Sequence, residues 1–266
     1  MSTITGIERC CPLVKEKAAA DRKSAAGNKG RGGRPRISDE DVYDLLCLYA
    51  RANLSWRDFG RMLRRLKLPS FRTVFRRYRE WSNAEVSRRV FEDLVRADPH
   101  SKLGMVDSTF IKSKSGLKEA GGYGYKGRGS NVVIIINERS HPVDFGVYSA
   151  ADHDSKTLAD LLTRTDPCRL PSVLLADKAY DDDDLRKAMR LLGGLGVILS
   201  SHHRKGRVSA PVDQQFNQVN AKNRWKIERF NAWLKSWRHF SYRYESRLAS
   251  FNFWLYLVFS IMILAR

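Results

Sequence analysis

The sequence is poor in cysteine and contains no long apolar segment. Its four cysteines show no paired spacing, which excludes the pattern of a zinc ribbon or a disulfide framework; they are Cys10, Cys11, Cys47 and Cys168. Residues 1–14 lack the apolar run of a secretory signal. The one membrane-like stretch, residues 251–264, contains Asn252 and Ser260 and is shorter than the ~20 residues that span a bilayer. We therefore expect no membrane anchor, a buried terminal helix and a location in the reducing cytoplasm.

Acidic residues are also scarce relative to basic ones. The 266-residue chain has 29 Asp and Glu against 48 Lys and Arg, which gives a formal net charge of +19. Such an excess is typical of proteins that neutralise phosphate groups. Nucleic acid is the predicted partner, with ribosomal or membrane-surface binding as alternatives. Because 42% of the residues are hydrophobic, the chain is apolar enough for one large core and a smaller domain.

Residues 1–36 are predicted to form a flexible basic arm. They contain nine Lys and Arg against three acids, with few apolar residues. Near the end of the arm, glycines that allow close approach precede Arg34, Pro35 and Arg36, and the proline favours an extended path. Arg34 and Arg36 could therefore follow a narrow minor groove of DNA. A solvated basic linker fits the same composition.

Residues 37–98 are predicted to form an all-α DNA-binding domain. Ser38 and Ser55 stand where helix N-caps are expected, each ahead of an amphipathic segment. The residues Leu68-Pro69-Ser70 interrupt the pattern before a further amphipathic helix begins. Two short helices separated by a tight break indicate a helix-turn-helix.

The basic residues of this domain are concentrated in the helix-turn-helix. Residues 51–79 contain ten Lys and Arg and a single acid, Asp58. Arg72, Arg76 and Arg77 lie in the second helix of the pair and are predicted to face a groove of DNA. A solvated basic face is the alternative.

Residues 99–266 are predicted to form a mixed α/β domain with one five-stranded sheet and C-terminal helices. Short apolar runs predict the strands, at 103–106, 132–136, 141–148, 173–176 and 197–199. The glycines of residues 121–124 predict a tight turn. Because helical segments separate the later strands, parallel neighbours are allowed and their ends meet at one edge.

Three acids in this domain are predicted to meet. Asp107 and Asp177 each follow an apolar strand, and Glu228 lies in a predicted helix over 218–238. Carboxylates brought together in this way bind hard divalent cations such as Mg²⁺, and a phosphodiester is the expected substrate. In the same helix Arg224, Glu228 and Lys235 lie on one side, which also fits a surface ladder of ion pairs.

These residues resemble the insertion-sequence DDE transposases, specifically the insertion-sequence-five family. The resemblance rests on Arg224-x3-Glu228-x6-Lys235, together with Asp107 in Val-Asp-Ser-Thr and Asp177 in Ala-Asp-Lys-Ala-Tyr. It implies an RNase H-like fold for the sheet domain. Asp107, Asp177 and Glu228 would be the catalytic residues and would hold two Mg²⁺ ions, with Mn²⁺ as an alternative. Arg224 and Lys235 would position a DNA strand through phosphate contacts.

The activity implied by the resemblance is transposition. The N-terminal residues 34–81 would bind the terminal inverted repeats of an insertion sequence, and the acids would cleave DNA and join its 3′-hydroxyl ends to target DNA. Double-stranded DNA is then the partner, a homo-oligomer is expected in the synaptic complex, and the bacterial cytoplasm is the expected location. Two alternatives remain: an RNase H-like nuclease that only hydrolyses, and a catalytically silent DNA-binding regulator.

Overall fold

The chain divides into two compact units. The computed structural model describes residues 3–25, 37–52, 54–113, 119–180, 182, 185, 195–198 and 211–265. The first unit, here the helical unit, comprises Met1–Leu94, Trp237–His239 and Glu245–Arg266. The second, here the sheet unit, comprises Val95–Ser236 and Phe240–Tyr244. The sequence predicted a boundary near residue 98, whereas the structure divides the chain after Leu94 and groups residues 245–266 with the helical unit.

The helical unit begins with a helix where the sequence predicted a flexible arm. Helix α1 spans Thr3–Ala25. Cys10, Cys11, Val14 and Ala18 are buried in it, and their spacing places them on one helical face. The burial of this face against other helices of the unit stabilises α1 despite its many charges. The prediction of a flexible arm is therefore wrong for this part, and residues 26–36, with Arg34 and Arg36, lie outside the described residues.

The predicted caps and helices of the N-terminal region are confirmed. The helices that follow α1 are α2 (Asp39–Arg51), α3 (Trp56–Arg65), α4 (Phe71–Asn83) and α5 (Val86–Ala97). Ser38 accepts a hydrogen bond from the Asp41 N–H at 3.0 Å, and Ser55 accepts one from the Asp58 N–H at 3.1 Å. Each serine satisfies a backbone donor that a helix start leaves unpaired, which fixes where α2 and α3 begin.

Helices α3 and α4 form the predicted helix-turn-helix. Lys67, in the turn, has a φ of 54°, a left-handed conformation that lets the chain reverse within a few residues. Gly60 permits the close approach of the two helices, because a Cβ there would lie 2.7 Å from Cδ1 of Phe71. The inner face of α4 is apolar, with Val74, Tyr78 and Trp81 buried.

The C-terminal apolar stretch forms a buried helix, as predicted. Helix α9 spans Leu248–Leu264 and belongs to the helical unit. The Tyr78 hydroxyl donates to the Ser250 carbonyl at 2.9 Å, and the Tyr78 ring stacks on Trp254 with a centroid distance of 5.0 Å. No helix within the described residues is long and apolar enough to cross a membrane.

The sheet unit contains the predicted mixed sheet. Its described strands are β1 (Leu103–Lys112), β2 (Gly122–Gly124), β3 (Gly127–Asn137), β4 (Pro142–Ser149), β5 (Val173–Ala176) and β6 (Leu195–Ile198). Strand β3 pairs antiparallel with β1 and β4, whereas β5 pairs parallel with β1 and β6. The order β4-β3-β1-β5-β6 is the RNase H-like arrangement. The short β2, predicted as a tight turn, instead pairs with the start of β3.

Helices cover the sheet and include the one that carries Glu228. Helix α6 spans Asp154–Arg164 and packs on β3, β4 and the turn at Lys178–Tyr180. Its N-cap is His153, whose side chain accepts a hydrogen bond from the Ser155 N–H. Helix α7 spans Pro211–Lys235 and packs on β1, and the single turn α8 (Arg238–Ser241) follows it. Residues 181–192, one of the helical segments that the sequence predicts between the later strands, fall mostly outside the described residues.

Candidate active site

Two of the predicted acids lie on neighbouring parallel strands, Asp107 within β1 and Asp177 directly after the end of β5. In the pairing of β1 with β5, Met105 stands opposite Leu175. Asp107 and Asp177 each follow two residues later, so the alternation of side chains places both acids on the same face of the sheet. Both acids line one small pocket, which Arg224 of α7 also lines. The strand register therefore brings these acids together, although they are 70 positions apart in the sequence.

Arg224 connects this pocket to the third acid. Its Nη2 lies 3.2 Å from Oδ2 of Asp177, and its Nε donates to Oε1 of Glu228 at 2.8 Å. The arginine and Glu228 are four residues apart in α7, which places them on adjacent turns of one face. The pair is thus more than a ladder along the helix, because the same guanidinium also holds an acid of the sheet.

The three acids differ in their exposure to solvent. Asp107 is partly enclosed, whereas the side chains of Asp177 and Glu228 are 29% and 57% exposed. Burial raises the pKa of the Asp107 carboxyl to about 6, and Asp177 and Asp154 act in the same direction. The Ser108 N–H, at 2.8 Å, and the charge of Arg224 oppose the rise in this pKa. A cation brought to this pocket would favour the charged form of Asp107.

Two asparagines in α7 also belong to the site and were missed from the sequence. Asn220 donates from Nδ2 to the carbonyl of Ala176 at 3.0 Å, and Asn231 donates from Nδ2 to Oδ2 of Asp107 at 2.9 Å. The signal that could have found them is their position on the same helical face as the buried Ile227 and Leu234. A polar residue in an apolar stripe needs a partner, and here the partners are the Ala176 carbonyl and the Asp107 carboxylate.

The donor set suits a hard divalent cation, although the side chains are not arranged around one. No group of three Asp, Glu, His or Cys side chains within the described residues stands close enough to hold a metal ion as it is. Glu228 and Asp177 are both paired with the guanidinium of Arg224. Carboxylate oxygens are the ligands that Mg²⁺ and Mn²⁺ prefer, and Asp107 and Asp177 already share one pocket. The residues present therefore fit such an ion, and their role as ligands stays a prediction.

The residues predicted to bind DNA differ in their exposure to solvent. Arg72 and Arg76 are exposed on α4 and line an open groove together with Arg64 and Lys67. Lys235, at the end of α7, is exposed. Their exposure is compatible with DNA contacts, which remain predictions.

Arg77 is not available for DNA. Its side chain is 1% exposed and forms an ion pair with the equally buried Asp39 at the start of α2. Its guanidinium lies 5.8 Å from the ring of Trp81. The prediction of a DNA contact is therefore wrong for this residue: Arg77 shares the inner face of α4 with Val74 and Tyr78, and its charge is satisfied inside the helical unit.

Comparison with known proteins relates the chain to a protein family. The profile of the transposase DDE domain matches residues 98–263. Two solved structures align with the chain, one of the Mos1 transposase paired-end complex with left transposon end and one of the Mos1 mariner paired end complex with Mn. In each case the identity is 12%, the alignment covers 91% of this chain and 83% of the other, and the TM-score is 0.27. No curated protein sequence matches the chain.

Proposed function

The chain belongs to the transposases with a DDE domain, and from this premise we propose that it is an insertion-sequence transposase of the insertion-sequence-five family. It binds the terminal inverted repeats of its element, cleaves DNA at the ends and joins the 3′-hydroxyls to target DNA. The observation that carries the proposal is the shared pocket of Asp107 and Asp177, together with the link that Arg224 makes to Glu228.

The three acids are the proposed ligands of two Mg²⁺ or Mn²⁺ ions. Ions bound there supply activation of the attacking water or hydroxyl and stabilisation of the departing oxygen in an in-line displacement. The carboxylates of Asp107, Asp177 and Glu228 would hold the ions, and the Asn231 amide donates a hydrogen bond to the Asp107 carboxylate. The partial burial of Asp107 limits the water that competes for its oxygens.

Arg224 has two successive roles in this proposal. Before the site is loaded, it balances the charges of Asp177 and Glu228. Its side chain is 48% exposed, so its guanidinium is also accessible to a DNA phosphate. Arg224 and Lys235 then fix the strand by phosphate contacts, which place the scissile bond at the acids without reading sequence.

The helical unit supplies recognition of the element ends. Arg72 and Arg76 present their side chains on the outer face of α4, in a groove that also contains Arg64 and Lys67. A helix of this kind enters the major groove, where arginine side chains read base edges. Arg34 and Arg36 follow the adjacent minor groove in this proposal. Because cleavage and joining need both ends of the element, a homo-oligomer assembles on the DNA.

The test replaces one acid without changing its size. Asp177→Asn should keep sequence-specific binding to the inverted repeats and lose Mg²⁺-dependent cleavage, since one ligand charge is removed. Asp160→Asn, which changes an exposed acid on α6, is the matched control and should cleave like the wild type. Cleavage by Asp177→Asn at the wild-type rate would reject the assignment of the site.

A second assay separates the alternatives. The substrate is a DNA end that has already been cut, so that its 3′-hydroxyl is free. A transposase should join this end to target DNA, whereas a nuclease that only hydrolyses should not. A DNA-binding regulator would neither cleave nor join, even as the wild type.

A further inference from the structure

Helix α7 carries two buried asparagines on the face that covers the sheet. Asn220 is 5% exposed and Asn231 is 9% exposed. They are eleven residues apart, which corresponds to about three turns of helix and returns to nearly the same face. Ile227 and Leu234, on the same face, are 4% and 0% exposed. Burying an amide at two points of an otherwise apolar contact is costly unless each amide has a specific partner.

Each asparagine contacts a strand at the point where an acid stands. Asn220 bonds the carbonyl of Ala176, the residue directly before Asp177. Asn231 bonds the carboxylate of Asp107 itself. Glu228 is three residues before Asn231, and residues three apart are neighbours on a helix surface. The two hydrogen bonds therefore tie the helix that carries the third acid to both strands that carry the other two.

We propose that Asn220 and Asn231 are positioning residues that hold Glu228 in register with Asp107 and Asp177, and that Asn231 also fixes the direction of the Asp107 carboxylate. The proposal rests on the proposed function, because it concerns the same three acids. Apolar packing alone is not directional, so a helix held only by residues such as Ile227 and Leu234 can slide or rotate by small amounts. Hydrogen bonds have narrow distance and angle ranges, and two of them about 16 Å apart along the helix axis restrict both motions.

The hydrogen bonds of Asp107 show how Asn231 acts on the acid. The Ser108 N–H donates to Oδ1 and the Asn231 amide donates to Oδ2, so each carboxylate oxygen has one donor from the protein. A carboxylate has about four acceptor positions, so each oxygen keeps a lone pair for a cation. With both oxygens held, the remaining lone pairs have a fixed direction. Partners of this kind orient ligands in many metal sites, and their loss typically weakens metal binding by about 10- to 100-fold.

Asn231 is also poorly explained as a residue selected for stability. Its Oδ1 is buried and has no hydrogen-bond partner within the described residues. An unsatisfied buried acceptor is a cost to folding, and an apolar residue of similar size would remove that cost. A residue that is costly for folding but bonded to a site acid is the pattern expected where function determines the side chain.

The experiment measures metal binding and stability separately on the full chain. The variants are Asn231→Leu, Asn220→Leu and, as the matched control, Asn223→Leu. The Asn223 amide donates to the Val219 carbonyl of its own helix at 2.8 Å. The readouts are the Mn²⁺ dissociation constant, from the electron paramagnetic resonance signal of free Mn²⁺, and thermal unfolding in a metal-free buffer. Asn231→Leu should weaken Mn²⁺ binding by about 10- to 100-fold without lowering the melting temperature. Asn220→Leu should weaken Mn²⁺ binding less, because the partner of Asn220 is a backbone carbonyl. Asn223→Leu should leave Mn²⁺ binding unchanged.

The outcomes separate this inference from the function on which it rests. A wild-type protein that binds no Mn²⁺ would overturn the proposed function. A wild type that binds Mn²⁺, with Asn231→Leu and Asn223→Leu indistinguishable from it, would overturn only the positioning role. If Asn231→Leu does not fold, Asn231→Ala serves in its place: a loss of Mn²⁺ affinity in the folded variant supports the inference, and unchanged affinity rejects it.

Discussion

The two units each contain an arginine that the sequence predicted to touch DNA, and the structure gives them opposite surroundings. Arg77 in the helical unit is 1% exposed and paired with a buried Asp39. Arg224 in the sheet unit is 48% exposed and paired with Asp177 and Glu228. Both stand in strongly basic helices. The comparison shows that the local charge of a segment does not reveal whether a cation is a fixed part of the fold or a group free to change partners.

The difference follows from the cost of removing charges from water. A buried ion pair is held because neither charge can return to solvent without opening the core. An exposed pair is replaced at little cost by water, a metal ion or a phosphate. We therefore expect the Arg77 pair to matter for stability and the Arg224 pair to matter for what the site binds.

The largest effect is expected from a substitution that breaks the buried ion pair of Arg77 and Asp39. Arg77→Met leaves Asp39 as an uncompensated buried charge and should destabilise the protein by about 3–5 kcal/mol, measured by denaturant unfolding. Arg76→Met, at the exposed neighbouring position, is the control and should change stability by less than about 0.5 kcal/mol. If the two variants lose the same stability, the contrast between the buried and exposed arginines fails.

A second effect concerns the partly buried acid of the sheet unit. Burial raises the folded-state pKa of Asp107 from 3.8 to about 6. The folded protein therefore holds this proton more tightly than the unfolded chain does. The stability that this group contributes is present at low pH and is lost as the pH rises between these two pKa values. Asp107→Asn cannot lose a proton and should gain stability relative to the wild type, from about zero at pH 4 to at most ~3 kcal/mol above pH 6. The measurement is denaturant unfolding in EDTA over this pH range. A stability difference that does not vary with pH would contradict the assigned shift in pKa.

A third effect tests the exposed arginines of the helical unit. Arg72→Ala should weaken binding to the inverted repeat by about 1–3 kcal/mol if the side chain reads a base. The binding assay should include unrelated DNA and several salt concentrations. An equal loss on every sequence, with a smaller salt dependence, would instead identify Arg72 as a phosphate contact.

The smallest effect concerns the exposed pair of the sheet unit. Arg224→Leu should change folding stability by less than about 1 kcal/mol, since exposed ion pairs contribute little. It should bind Mn²⁺ more tightly in the absence of DNA, by roughly 1 kcal/mol, because a competing cation is removed from Asp177 and Glu228. Calorimetric titration with Mn²⁺ checks this, and weaker binding than in the wild type would show that Arg224 helps to form the site.

Much of the sheet was predictable from the sequence because its strands contain short apolar runs, two of which directly precede Asp107 and Asp177. Asp107 and Asp177 could be placed on neighbouring strands by the parallel arrangement alone. The side-chain contacts were not predictable: Asn231 meets Asp107 across 124 positions, and no local pattern encodes that distance. The effect of these contacts on ligand binding depends on how deeply the side chains are buried, and that burial is set only when the helices and strands pack together.

The helical unit was predicted less completely, for two physical reasons. In α1 the apolar face of Cys10, Val14 and Ala18 lies among many charges, so composition indicated an unstructured arm although the spacing is helical. For Arg77, its spacing from Val74 and Tyr78 already placed it on the inner face, but an arginine there requires a buried acid. That acid, Asp39, stands in another helix.

The placement of α9 affects how the chain matures during translation. Residues 95–236 are made before Ser250 and Trp254, which contact Tyr78 from the opposite end of the chain. The N-terminal helices therefore leave the ribosome without part of their core and complete it only after the intervening sheet has been synthesised. An incomplete polypeptide that stops before residue 245 would lack the contacts of Tyr78 with Ser250 and Trp254, so the packing of α4 is completed late in synthesis.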